Sequence, residues 1–345
     1  MSRKFITHSL CLWFLLGACS PAHATVLHVL AWPGYAEPEV VHAFEQAEGV
    51  QVQVTTIDSD EALWQKINDK NNNFDVFAVN TAELQRYIHA GSVQPIDTAR
   101  IPNISRQSPP FRAPSAIPGL TNQGKVYGIP FTYSAMGLIY DKKQITSPPD
   151  SISVLWDPRY EGKVLAFNGG THNFTLAAQN LGIATPFDLQ PGQWPEVVKS
   201  LIALRRNVLY FYSQPEESVQ MFVRQHAALM FANYGMQQVH LLEAAGVDVG
   251  YSFPRQGALT WLDTWAIPSH SAHPDLALAW INRTLGKTAS QLLVSRQGLA
   301  NTTTPLTTRA DQHLLWLQPV EDAPKRETLW ARIYSGDNFA RVLPP

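Results

Sequence analysis

An α/β fold of two lobes is what this sequence predicts, and three observations carry it. Strand, loop and helix patterns alternate along most of the chain, the order that builds parallel sheets covered by helices. The alternation breaks and resumes, with extended segments at 127–133 and 260–268 that can carry the chain between two such sheets. At 345 residues, 45% hydrophobic and 16% charged, there is enough chain for two cores. Two lobes joined by extended crossovers make a clam-shell, and closure on a ligand is its expected motion.

Residues 1–24 read as an export signal. Arg3 and Lys4 precede an apolar run from Leu10 to Ala18, and Ala22-His23-Ala24 is a small-x-small cleavage site. Leu16-Gly17-Ala18-Cys19 resembles a lipobox and offers a competing cut. It ranks second, because the first strand begins near Val26 and a lipid on Cys19 would leave almost no tether. No later run approaches the roughly 18 apolar residues of a membrane span, so a soluble periplasmic monomer is expected. Both cysteines, Cys11 and Cys19, fall in the leader, and cleavage after Ala24 would remove every thiol. Losing Arg3 and Lys4 from 26 basic residues leaves 24 against 28 acids, so the net charge moves from −2 to −4. With no basic run or aromatic-basic stripe, a nucleic-acid partner is not expected. No cofactor is expected either.

Taken in order, residues 26–31 are a short apolar strand halted by Trp32-Pro33-Gly34-Tyr35, where Pro and Gly demand a tight loop. Pro38 opens a helix that Gly49 ends, with Val40, Val41 and Phe44 at helical spacing. Residues 50–57 alternate by twos, as a half-buried strand does, before 61–67 returns to helix. A buried strand at 74–79 opens onto Asn80-Thr81, which can cap a helix over 82–89. Residues 100–120 are proline-rich and aperiodic, a surface excursion. In the second lobe, strands at 164–167, 207–211, 227–232 and 247–253 alternate with helices at 174–181, 194–206, 215–225 and 236–245. A helix at 276–285 follows, then more helix to the C-terminus. The expected plan is lobe 1 over 25–130 plus 262–320 and lobe 2 over 131–261. A helical segment, 321–345, would pack across the lobes.

Ligands in open α/β sheets sit at the carboxyl ends of the strands, which favours the loops at 32–35 and 80–81. The stretch from Thr260 to Pro268 adds Trp261, Asp263 and Trp265 within five residues. An indole face attracts an organic cation through its quadrupole, and a carboxylate completes the pairing in a dry pocket. The alternative is that both indoles are core residues four apart on a helix.

Five ordered motifs carry a family resemblance: Trp32-x-x-Tyr35, Phe74-Asp75-Val76, Tyr127-Gly128-Ile129-Pro130, Trp156-Asp157-Pro158-x-Tyr160-x-Gly162-Lys163, and Trp261-Leu262-Asp263 through Ala266-Ile267-Pro268. Over nearly its whole mature length the chain resembles the periplasmic spermidine/putrescine-binding protein family of ABC transporters. That resemblance implies a type II periplasmic-binding-protein clam-shell, each lobe a mainly parallel sheet flanked by helices, holding a small cationic amine for delivery to an ABC importer. A sensory module that docks on a membrane signalling receptor is the alternative, because fold does not fix function. Ligand contact falls by resemblance to Trp32, Tyr35, Trp261 and Asp263, while Trp265 stands where the family packs its core.

Departures narrow the ligand. Gly34 replaces an acid often found beside the loop tyrosine, and Ala82 stands where an aromatic can follow the strand-end Ser/Thr. Acids that clamp a far amine are absent from 168–173, which holds Gly169 and His172, and Phe231, Asn233 and Tyr234 stand near a missing Trp. Desolvating a second ammonium there would cost several kcal/mol with nothing to offset it. One cation site at Asp263 and a more neutral far end are therefore expected, a far amine being met by water, Tyr, Glu216 or Glu217. Asn80, Thr81, His172, Ser213, Asn233 and Tyr234 are secondary candidates. Asn80, Thr81 and Ser213 could equally cap the next helix, and His172 could be a contact, a pH switch or a solvated loop residue. His270 and His273 read as capping or surface residues. Without a G-x-S-x-G elbow, an H-E-x-x-H helix or a phosphate-cradling loop, no enzyme is expected.

Overall fold

A computed structural model describes residues 25–304 and 313–344. The leader, both cleavage sites, Cys11 and Cys19 lie outside the described residues. β1 (Val26–Ala31) runs into α1 (Pro38–Glu48), which Pro38 starts and Gly49 ends at a left-handed φ of 67°. β2 (Gln51–Thr56) is followed by α2 (Asp60–Asn68), capped by Ser59, whose hydroxyl accepts from the Ala62 amide. β3 (Val76–Asn80) leads into α3 (Thr81–His89), where the Asn80 side chain accepts from the Glu83 amide. β1 pairs in parallel with β2 and with β3, as helical crossovers require. The proline-rich segment then forms short 3-10 turns and a hairpin of β4 (Thr121–Asn122) with β5 (Lys125–Val126). It is more than the expected surface excursion, because Ile101, Phe111 and Leu120 from it are buried.

The chain changes sheets across a single residue. β6 (Ile129–Met136) lies wholly in the first sheet, Gly137 follows, and β7 (Leu138–Asp141) lies in the second. A Cβ on Gly137 would sit 2.6 Å from the Tyr251 ring, so only glycine allows this close passage. The second lobe continues through β8 (Val164–Phe167), α4 (Gly170–Asn180), α5 (Trp194–Asn207), β9 (Val208–Tyr212), α6 (Pro215–Arg224), β10 (Leu229–Phe231), α7 (Met236–Ala244) and β11 (Val249–Ser252). Its sheet order is β11-β7-β10-β8-β9, with β8 parallel to β9 and β10, and β7 antiparallel to β10 and β11.

Residues 253–257 return the chain to β12 (Ala258–Ala266), a fully buried strand antiparallel to β3 and β6. The expected lobe limits at 130/131 and 261/262 therefore cut through β6 and β12, whereas the sheet changes fall at Gly137 and 253–257. α8 (Pro274–Thr284), α9 (Lys287–Gln297), β13 (Ala300–Asn301), β14 (Leu314–Trp316), α10 (Ala323–Tyr334) and α11 (Phe339–Val342) complete the described chain. The expected further helix is present as α9, α10 and α11, and β13 and β14, which were not expected, interrupt it and add to the first sheet, order β13-β6-β12-β3-β1-β2 with β14 on β12. The strands beside the crossovers, β6, β7, β11 and β12, each pair antiparallel with a neighbour, while β1, β2 and β3, and β8, β9 and β10, pair in parallel among themselves. Trp265 is fully buried, 5.3 Å from Phe131 and 6.0 Å from Trp280 between ring centres, so it packs the core from a strand and not from a helix.

α10 packs on α4 and α5 of the second lobe. Its fully buried Arg326 pairs with Glu321 at 2.7 Å and donates to the Thr175 hydroxyl and the Pro186 carbonyl. Among the described residues, no helix is long and apolar enough to cross a membrane.

Candidate ligand-binding site

Between the sheets lies a cavity with an empty volume of about 450 Å³, part of it open to solvent. The first lobe supplies its wall from the loop after β1, the start of α2, the end of β3 and the middle of β12. Alternation along β12 puts Trp261 and Asp263 on one face, and the register sets Asp263 beside Asn80 of β3 and Thr132 of β6. In the β1 loop, Gly34 takes φ +84° and the Gln297 side chain lies against it, which turns Trp32 and Tyr35 inward. The Tyr35 hydroxyl donates to Asp263 Oδ2 at 2.5 Å.

The opposing wall belongs to the second lobe and, among the described residues, carries no acid. Phe167, His172, Asn233, Tyr234 and Gln237 face the cavity there. The Trp261 indole N–H spans the two lobes, donating to the Asn233 carbonyl at 2.9 Å. His172 Nδ1 lies 2.9 Å from Asn233 Oδ1. Because an amide oxygen only accepts, Nδ1 carries the proton and Nε2 keeps its lone pair. The Tyr234 hydroxyl donates to the Ser213 carbonyl at 2.6 Å.

Of the expected residues, Trp32, Tyr35, Trp261, Asp263, Asn80, His172, Asn233 and Tyr234 meet at this cavity. Thr81 and Ser213 do not line it: Thr81 starts α3, and Ser213 contributes only the carbonyl that holds Tyr234. Neither Glu216 nor Glu217 reaches it. Glu217 caps α6 by accepting from the Ser213 and Gln214 amides. His172 is corrected from a solvated loop residue to a buried one, 8% exposed, in the first turn of α4.

Asp60 is the residue that sequence reasoning passed over. It stands at the start of α2, directly after β2, and accepts from Asn80 Nδ2 at 3.1 Å. The strand-end rule that selected residues 32–35 and 80–81 applies equally to this loop.

Electrostatically the cavity is poised for a positive charge. Asp263 is only 5% exposed, and burial pushes its carboxyl up to about 7, against the pull of the Tyr35 hydrogen bond. Burial first, then the charges of Glu83 and Asp263, holds Asp60 well above the usual carboxylate range. Burial also takes His172 down to about 4, so its ring is neutral at pH 7. Among the described residues, no Lys, Arg or His lies within ion-pair distance of Asp60 or Asp263; Arg86 is taken by Glu61 and Glu83. The Trp32 indole N–H is buried without a partner among the described residues.

Comparison with known proteins places these features in context. Residues 39–328 match the family model described as bacterial extracellular solute-binding protein. The chain is similar to the spermidine/putrescine-binding periplasmic protein of Escherichia coli, with 24% identity over 289 residues, 81% of this chain and 79% of that protein. It is likewise similar to a putrescine/agmatine-binding protein of Pseudomonas aeruginosa, with 23% identity over 354 residues, 91% of this chain and 93% of that one. Among solved structures, a putative spermidine/putrescine ABC transporter protein from Listeria monocytogenes superposes with a TM-score of 0.78 at 19% identity, covering 90% of this chain and 98% of the other. At such identity the structural match speaks for the fold alone.

Proposed function

We propose, from the premise that this chain belongs to the bacterial extracellular solute-binding protein family, that it captures a small organic amine between its lobes and delivers it to an ABC importer. The family binds solutes and does not transform them. One observation carries the choice of ligand: two carboxylates, Asp263 and Asp60, face the cavity between the sheets with no counter-charge among the described residues. Two acids held out of water this way are costly until a cation joins them. An ammonium supplies the missing charge and the N–H donors, and the walls of Trp32, Tyr35 and Trp261 suit its charge and its methylenes.

Each residue then has a role. Asp263 is the primary anion, and Tyr35 fixes its orientation through Oδ2, which leaves Oδ1 without a donor among the described residues. Trp261 packs on the ligand and, through Asn233, ties the first lobe to the second. Asn80 aims Asp60 inward. His172, Asn233 and Tyr234 form a neutral roof that excludes water and accepts or donates hydrogen bonds. The lobes move as units about Gly137 and residues 253–257, where the chain changes sheets. The relatives named for spermidine and putrescine support an amine ligand of this kind.

A thermal-shift panel of polyamines, monoamines, guanidino compounds, amino acids and dicarboxylates tests this reading. A cation at about 100 times its dissociation constant should add about 2.7 kcal/mol of stability. A best ligand that is anionic would overturn it.

A further inference from the structure

One step outside the cavity, Gln297 at the end of α9 joins three parts of the molecule. Its amide nitrogen donates to Glu37 Oε1 at 2.5 Å, beside the start of α1. Its Oε1 accepts from Gln237 Nε2 at 2.9 Å. Because α9 packs on β13 of the first sheet and α7, which carries Gln237, packs on β11 of the second, this bond crosses between the lobes. The third part is the β1 loop. The Gln297 side chain lies against Gly34, and Gln237 Nε2 also reaches the Pro33 carbonyl at 3.4 Å.

The direction of these bonds is fixed from the first lobe. Glu37 is 7% exposed, and its second oxygen accepts from Arg296 at 3.1 Å. A carboxylate only accepts, so the Gln297 NH2 must turn towards Glu37 and its carbonyl oxygen towards Gln237. Gln237 is 2% exposed and can then meet that oxygen only as a donor. The backbones are brought equally close. Gly298 ends α9 at φ +64°, and a Cβ there would lie 2.9 Å from the Met236 carbonyl oxygen, an approach that glycine permits.

We infer that Gln297 is a positioning residue, a latch that locks the β1 loop, with its Trp32 and Tyr35, to α7 of the second lobe. The inference rests on the reading that the ligand is held between the lobes. Gln297 does not line the cavity, so it acts on the ligand through the loop and through closure. Its bond to Gln237 is broken whenever the lobes part, so it governs release and leaves encounter with the open cleft alone.

Stopped-flow tryptophan fluorescence with putrescine as the probe tests this on wild type, Gln297→Met, Gln237→Ala and the double variant. Methionine keeps the packing on Gly34 and removes both amide bonds. Loss of one neutral hydrogen bond between the lobes should speed dissociation about three- to tenfold in Gln297→Met, with association changed by less than about twofold. In the double variant, Gln297→Met should add less than about twofold to the effect of Gln237→Ala, because the two residues share one bond. Unchanged dissociation, slower association in place of faster dissociation, or effects that multiply in full would overturn the latch. Putrescine binding to none of these proteins would overturn the amine reading instead, and small-angle X-ray scattering of the ligand-free proteins then decides the latch: Gln297→Met should have the larger radius of gyration, and equal radii would overturn it. Gln297→Ala serves in the same measurements if the methionine variant fails to fold.

Discussion

Replacing Asp263 by Asn should make the empty protein more stable and the loaded protein useless. The side chain is 5% exposed and its carboxyl is raised to about 7. Relative to an unfolded aspartate near 4, that is roughly three powers of ten in proton affinity at about 1.4 kcal/mol each, or about 4 kcal/mol of strain on the empty fold at pH 8. The sign follows from proton counting. Between about pH 4 and pH 7 the folded state binds more protons than the unfolded state, so stability falls as pH rises through that window and the cost is complete above it. Asparagine is isosteric, can still accept from Tyr35, and carries no charge to desolvate. Thermal unfolding without ligand should therefore show a higher midpoint for Asp263→Asn at pH 8, with the advantage shrinking as pH falls from 7 towards 4. Loss of the ligand's charge partner should cost about 3–5 kcal/mol of binding, at least a hundredfold in affinity. A variant that is less stable than wild type at pH 8, or that binds the cation as wild type does, would refute the reasoning.

Two other substitutions probe how the lobes are held. Trp261→Phe removes the indole N–H that reaches Asn233 across the cavity; at about 1–2 kcal/mol for such a bond, cation affinity should fall about five- to thirtyfold, and an unchanged dissociation constant would contradict the spanning role. Arg326→Met strips a fully buried base from Glu321 and Thr175, a change worth about 3–5 kcal/mol. Its unfolding midpoint should drop by roughly 6–20 °C, and a drop near zero would show that α10 is not anchored through this residue.

Much of this architecture is legible in local sequence, because strands and helices bury one face and so print their period. The β1 loop, the end of β3 and the Trp261–Asp263 pair could be found from strand ends and residue chemistry, and the structure brings them to one cavity. What could not be read depends on tertiary contact. Gly169-Gly170 looks like a loop, yet Gly170 begins α4: a Cβ there would lie 2.9 Å from the Arg326 carbonyl oxygen, so the residue is glycine because α10 packs against it. That packing carries His172 from the surface into the cavity wall. Asp60 looked like any acid in a first helical turn, where the helix dipole favours one anyway. Only its position after β2 marks it as a strand-end residue. β13 and β14 are too short to show a period and exist through pairing with β6 and β12, and the sheet switch at Gly137 is a steric fact about the Tyr251 ring.

The central claim is that a cation binds to ionised Asp263, and calorimetry of the best amine across pH tests it most directly. With the carboxyl titrating near 7 in the empty protein, about nine-tenths is ionised at pH 8 and about one-tenth at pH 6, so affinity should fall about tenfold between them. Proton release on binding, measured at pH 6 in buffers of different ionisation heat, should accompany the loss. Affinity that is flat across this range, or that strengthens towards acid, would contradict the account.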